Sequence, residues 1–342
     1  MNISDLMVYF EDNVVDDEDL QAFGVRNVDT RKRKQGGENR VVTTGQDDVV
    51  ADNASVLEAI ESGFELTYLP SRHEAGWLFN ALAPFFLDQW FDDILRAIKG
   101  GKEASVYLCK AHETVGVDYL AAKVYRPRQF RNLRKDHTYR EGRDYLDGQG
   151  HVILDHGLLH AIRQKTAIGQ QLMHSSWIDY EVKAMKELHA AGCDVPRLFA
   201  NGDMALLMEY FGDEIGGAPT LHEVELDITE ARPLFERMVN NVDLMLAHGI
   251  IHGDLSAYNV LYWDGEITMI DFPQIVMAET NPNAYVIFQR DVRRVCEYFN
   301  RYGIRSDGLE LAEKLWLKHG HRVSSEVPLF LLHHEDDGDD DE

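Results

Sequence analysis

The chain has 342 residues, enough for two or three domains and a substantial core. Its 44% hydrophobic and 10% aromatic content is that of a globular protein, and no apolar run approaches a membrane span, so no membrane role is expected. A formal charge of −25 makes direct binding of free nucleic acid unlikely, because neutralising phosphate dominates that affinity. The opening MNISDLMVYFEDN carries neither a basic leader nor a continuous apolar stretch. Cys109, Cys193 and Cys296 are odd in number and widely spaced, without a CxxC pair. Both features predict a cytoplasmic protein without a disulfide framework or zinc site.

In chain order, residues 1–71 are polar and acidic and predict disorder, with one short helix near 54–62 and a basic RKRK cluster at 31–34. Residues 74–98 carry Trp77, Leu78, Leu82, Phe85, Phe86, Trp90, Ile94 and Leu95 at helical spacing, which predicts two short amphipathic helices split near Pro84. They form a helical extension over 72–97. KGGKEASVYLCK follows, then DYLAAKVYR, two strands joined by a turn. Lys123 lies in the second, flanked by Ala121, Ala122 and Val124, and a lysine buried there requires a partner. Residues from about 126 to 174 predict a flexible insertion containing the basic stretch Arg126, Arg128, Arg131, Arg134, Lys135, Arg140 and Arg143.

A helix is predicted over 175–191, with Trp177, Met185 and Leu188 facing inward and Gly192 ending it. ALLMEYF at 205–211 predicts a buried strand, and Gly212, Gly216, Gly217 and Pro219 a linker. Further helices are predicted over 230–248, with Pro233 in the first turn, and over 284–302. The acidic tail at 326–342 predicts a solvated segment.

The stretch IIHGDLSAYNVLYWDGEITMIDFP at 250–273 concentrates the chemistry. Two apolar runs flank Asp264-Gly265, a hairpin signal. Asp254 and Asn259 precede the first strand and Asp271 closes the second, so the hairpin folds these three toward one another. Carboxylate and amide oxygens at strand ends suit Mg²⁺, which keeps part of its shell for phosphate.

HGDLSAYN followed by IDF resembles the catalytic and metal loops of the protein-kinase-like fold, whose ordinary pattern is H-R-D-x-x-x-x-N and then D-F-G. Gly253 in place of the Arg, Pro273 in place of the Gly, and GKEASVY upstream resemble the RIO family of atypical kinases. The likeness runs from about residue 98 to about 303. It implies an α+β, two-lobed fold with an N-lobe over 98–211, a C-lobe over 212–325 and acidic tails. It also implies an ATP- and Mg²⁺-dependent serine/threonine kinase or ATPase acting on a protein substrate or on itself.

By that resemblance Lys99, Gly101, Lys102, Ala104 and Val106 form the phosphate cover, with only Gly101 a glycine at the three glycine positions. Lys123 holds the α- and β-phosphates and pairs with Glu181, preferred over Asp179 and Glu187. Met208 lies behind the adenine, whose edge meets backbone groups of Glu209 and Phe211. Asn259 and Asp271 bind the metal, Asp254 takes the acceptor proton, and Asp291 braces the catalytic loop. The family is also linked to an aspartyl-phosphate at the position of Asp271 and to maturation of the small ribosomal subunit, which makes pre-ribosomal particles a candidate partner. Two alternatives stand beside this: a small-molecule kinase of the aminoglycoside or choline kinase type, which shares H-G-D-x-x-x-x-N, and a nucleotide-sensing assembly factor with weak turnover. The GKEA and RDV motifs, and the short chain after Tyr302, favour RIO.

Overall fold

The structure, a computed structural model, describes residues 67–101, 103–126, 141–148 and 150–322. The expectations for residues 1–66, Lys102, most of the basic stretch and the acidic tail lie outside them. The chain forms two compact units, Met1–Arg131 and Asn132–Glu342.

In the first unit, helix α1 (Arg72–Leu87) precedes three strands, β1 (Phe91–Gly100), β2 (Ala104–Ala111) and β3 (Tyr119–Tyr125). They pair antiparallel in that order. The expected second helix is thus a strand, and α1 runs through Pro84 into its last turn. The register of β1 against β2 shifts between Phe91 and Asp93 and again between Ile94 and Arg96. Such bulges let Phe91 and Ile94, three positions apart, both be buried, so a strand carries a helix-like apolar spacing. Glu74 ties the helix down: it accepts hydrogen bonds from Ser71 N–H at 3.3 Å, from the Tyr68 hydroxyl at 3.0 Å and from the Tyr107 hydroxyl. Burial, and then the Glu74 carboxylate, push the Tyr107 hydroxyl far above its ordinary pKa, so it remains a donor.

In the second unit, α2 (His156–Arg163) and α3 (Ala167–Ala190) are followed by the antiparallel pair β4 (Leu198–Asn201) and β5 (Ala205–Glu209). The end of the expected flexible insertion, residues 156–163 and 167–174, is therefore helical. Asp155 caps α2 by accepting Leu158 N–H at 2.8 Å, and Thr166 caps α3 by accepting Gly169 N–H at 3.1 Å. A Cβ at Gly169 would lie 2.0 Å from Ala161 C=O, so the two helices meet at a point that only glycine allows. α3 has no strong apolar stripe, while α2 carries Leu158, Leu159 and Ile162 along one side of a helix only eight residues long. Farther along α3, Trp177, Met185 and Leu188 are buried as expected, and Gly192 (φ 83) follows the C-cap Ala191.

Helix α4 (Ile228–Ala247) starts two residues earlier than expected because Asp227 caps it, which places Pro233 beyond the first turn. Short strands β6 (Ile250–Ile251) and β9 (Val276–Met277) pair antiparallel around the hairpin β7 (Val260–Trp263) and β8 (Glu266–Met269). Helix α5 (Ala284–Asn300) then packs against α6 (Gly308–Lys318), which has no counterpart among the expected elements. Met185, Met238, Met269, Phe272, Phe288 and Phe299 are buried in this unit. Among the described residues no helix is long and apolar enough to cross a membrane.

Candidate active site

The hairpin pairs Val260 with Met269 through Trp263 with Glu266. Asp264 (φ 50) and Gly265 (φ 79) are both left-handed, the geometry of a tight primed turn. This register brings Asn259 and Ile270 to one open end. Ile270 N–H donates to Asn259 C=O at 2.9 Å, and Ile270 C=O accepts from His252 Nε2 at 3.1 Å. Asp271 is the next residue, exposed and left-handed at φ 70. His252 accepts Asp254 N–H on Nδ1 at 3.3 Å, so its proton sits on Nε2. The buried ring packs against Phe272 with centroids 4.8 Å apart.

Gly253 explains the departure from the ordinary kinase pattern. It adopts φ 83, and a Cβ there would lie 2.1 Å from Gln274 C=O, so an arginine does not fit. Its N–H donates to Asp291 Oδ2 at 2.7 Å, while its C=O accepts from the Arg290 guanidinium. Asp291 is 2% exposed, and burial raises its pKa against the opposing pull of Arg290, His252 and Gly253 N–H. It braces the loop backbone as the sequence suggested.

Asp254 is held from two directions. Its Oδ1 lies 2.9 Å from Arg294 Nη1. Asn259 Nδ2 donates to Asp254 C=O at 2.8 Å and approaches Oδ2 at 3.3 Å. Asn259 Oδ1 accepts no hydrogen bond from the described residues. Among the described residues no group of three or more His, Cys, Asp or Glu could hold a metal ion. The donors at this end of the hairpin are instead Asn259 Oδ1 and the Asp271 carboxylate, hard oxygens of the kind Mg²⁺ accepts beside water and phosphate.

In the first unit, Lys99 pairs with Val106 and Val106 with Lys123 across β1, β2 and β3, so all three lie in one row on one face. Lys123 is 7% exposed, with Nζ 5.5 Å from the Tyr125 ring centroid. Gly101 N–H donates to Ala104 C=O at 2.9 Å and closes the turn, where a Cβ at 101 would come within 2.8 Å of that oxygen.

In the second unit, Glu181 is 1% exposed and its Oε1 accepts Phe272 N–H at 3.4 Å. Asp179 instead accepts Gly148 N–H at 2.6 Å, and Glu187 meets His248 at 3.2 Å. Of the three carboxylates considered on α3, Glu181 is the one turned toward the residue after Asp271. At the end of β5, Met208 is half-buried and pairs with Leu198. Glu209 N–H donates to Arg197 C=O at 2.8 Å, and Phe211 C=O accepts Ala218 N–H at 2.8 Å. Those two groups are committed, so an adenine edge would have to meet Glu209 C=O and Phe211 N–H.

The contact from Arg294 had no signal in the sequence, since the two residues of an ion pair 40 positions apart carry no spacing rule.

Comparison with known proteins places this geometry in a family. A model of the RIO domain matches residues 105–311. The RIO-type serine/threonine-protein kinase Rio1 of Haloferax volcanii is 30% identical over 239 residues, covering 69% of this chain and 73% of that protein. The serine/threonine-protein kinase RIO1 of Caenorhabditis elegans is 26% identical over 208 residues, covering 60% of this chain and 37% of that protein. The human protein of the same name is 25% identical over 213 residues, and the match spans 34% of its length. The chain thus spans most of the archaeal relative and little more than a third of the animal ones. Because the domain match extends over more than half of the chain, from β2 through the helix that braces the catalytic loop and into α6, the chain belongs to the RIO family and is a RIO-type kinase.

Proposed function

We propose that the chain transfers the γ-phosphate of ATP, with Mg²⁺, to a serine or threonine hydroxyl on a protein substrate or on itself. The observation that carries this is the convergence of Asp254, Asn259 and Asp271 at one end of the β7–β8 hairpin, with Asn259 Oδ1 uncommitted. Asp254 Oδ2 orients the acceptor hydroxyl and takes its proton as the new O–P bond forms and the bond to the β-phosphate oxygen breaks. Asn259 Oδ1 and Asp271 would hold Mg²⁺, which when bound would neutralise charge on the phosphates. Lys123 positions the α- and β-phosphates with Glu181 as its partner, a pairing taken from the family pattern. Membership of the RIO family argues against the small-molecule kinase alternative. The same family's link to ribosome maturation makes a pre-ribosomal particle in the cytoplasm the partner we propose.

The test follows both released phosphate and protein-bound label from γ-labelled ATP. D254A should lower turnover about 10²- to 10⁴-fold. Turnover equal to wild type would overturn the role of Asp254. A second reading, a single-round ATPase switch through an aspartyl-phosphate, is favoured by the exposed position of Asp271. Hydroxylamine-resistant label, or label surviving D271N, would exclude it.

A further inference from the structure

Helix α5 reaches the catalytic loop with three side chains. Arg290 and Asp291 grip the C=O and N–H of Gly253, and one turn farther on Arg294 Nη1 lies 2.9 Å from Asp254 Oδ1. The loop's own groups hold the backbone of Asp254, through His252 Nδ1 and Asn259 Nδ2. The carboxylate itself is 43% exposed and meets only Arg294 at short range, the Asn259 approach being longer at 3.3 Å. The guanidinium pairs with no other described carboxylate.

From this geometry we infer that Arg294 is the positioning residue for Asp254, holding Oδ1 so that Oδ2 faces the acceptor hydroxyl. The contact is made through one nitrogen to one oxygen, so it fixes the rotamer without occupying the second oxygen. An ion pair this exposed, 39% at the arginine and 43% at the aspartate, adds little to stability. Its effect is therefore on rate. Misplacing a reacting group by about 1 Å costs on the order of 100-fold.

The inference rests on Asp254 acting as the proton acceptor, and the experiment separates the two. Full-length wild type, R294Q, R294K, D254N and R294Q/D254N are compared for kcat, KM for ATP and melting temperature. R294Q should lose about 10- to 100-fold in kcat with KM for ATP and melting temperature unchanged, and R294K should recover part of the loss. On the D254N background R294Q should add nothing, because a positioning residue acts through the group it positions. Wild-type kcat in R294Q while D254N is inactive would overturn the inference alone. So would an equal further loss on the D254N background, or a fall in melting temperature matching the loss of rate. Wild-type turnover in D254N would overturn both the inference and the role of Asp254.

Discussion

The turn from Gly101 to Ala104 and the loop from His252 to Asn259 serve the same reaction in our proposal, yet they are held in opposite ways. The first is closed by backbone hydrogen bonds, Gly101 N–H to Ala104 C=O and, from just past the end of β3, Arg126 N–H to Glu103 C=O, each 2.9 Å. The second is held by side chains from α5, some 40 positions downstream in the case of Arg294, and by the backbone of Ile270. A turn closed by backbone hydrogen bonds within one sheet depends chiefly on the right residue at the point of closest approach. A loop set from a distance needs several elements folded first, and it positions its side chains more closely because more groups constrain them.

The sharpest way to break this contrast is at Gly253. A Cβ there meets Gln274 C=O at 2.1 Å in a left-handed conformation. Backbone strain and overpacking together should make G253A about 2–5 kcal/mol less stable in urea denaturation, with turnover lost in parallel. Wild-type stability would show that the loop can move away from Gln274 without cost, contrary to its being held from outside.

A smaller effect is expected at Asp194, which supports the hairpin from behind. Its carboxylate accepts from Arg237 Nε at 2.6 Å and Nη2 at 2.7 Å, and from Asn241 Nδ2 at 2.7 Å. Its C=O accepts Met269 N–H at 2.8 Å, which ties α4 to the end of β8. Burial pushes the Asp194 pKa up, but the hydrogen bonds from Arg237 and Asn241 outweigh it and leave the pKa below the ordinary carboxylate value. A depressed pKa means that the unfolded chain binds this proton more tightly. The stabilisation is therefore complete above the ordinary aspartate value of about 3.9 and fades as pH falls through the lower folded value. D194N should cost about 1–3 kcal/mol at pH 7, with the gap to wild type closing in acid. A gap that stays constant from pH 7 into the acid range would show that Asp194 acts through shape and not charge.

The smallest effect belongs to the local turn. The Cβ of G101A would sit 2.8 Å from Ala104 C=O and displace it slightly. We expect KM for ATP to rise about threefold to tenfold, equivalent to roughly 0.6–1.4 kcal/mol, with little change in melting temperature. A global loss of stability in G101A would erase the distinction between the two regions.

The sequence and the structure disagree where local pattern is ambiguous. Phe91 and Ile94 are spaced like helix residues, yet they lie in a strand whose bulges put both inside. In residues 156–174 Leu158, Leu159 and Ile162 repeat at helical spacing over two turns only, and the helices are specified by the local caps Asp155 and Thr166 and the close approach at Gly169. In the strand, pairing with β2 decided what periodicity left open; in the helices, local caps and one close contact did. By contrast, the hairpin from Val260 to Met269 was legible because a two-residue turn fixes register, and register alone brings Asn259 beside Ile270 and Asp271.

The sequence by itself determined the family, the motif residues Asp254, Asn259 and Asp271, and the strand position of Lys123. Each of these is a residue type at a fixed short spacing, which the chain carries whether folded or not. The structure turns Glu181, already preferred over Asp179 and Glu187, toward Phe272, and only the tertiary structure decided that Gly253 leaves no room for an arginine and that Arg294 reaches Asp254. Those outcomes depend on which helix face meets which loop after packing. Contacts between side chains tens of residues apart leave no periodic trace in one sequence, because the geometry that joins them exists only in the folded core.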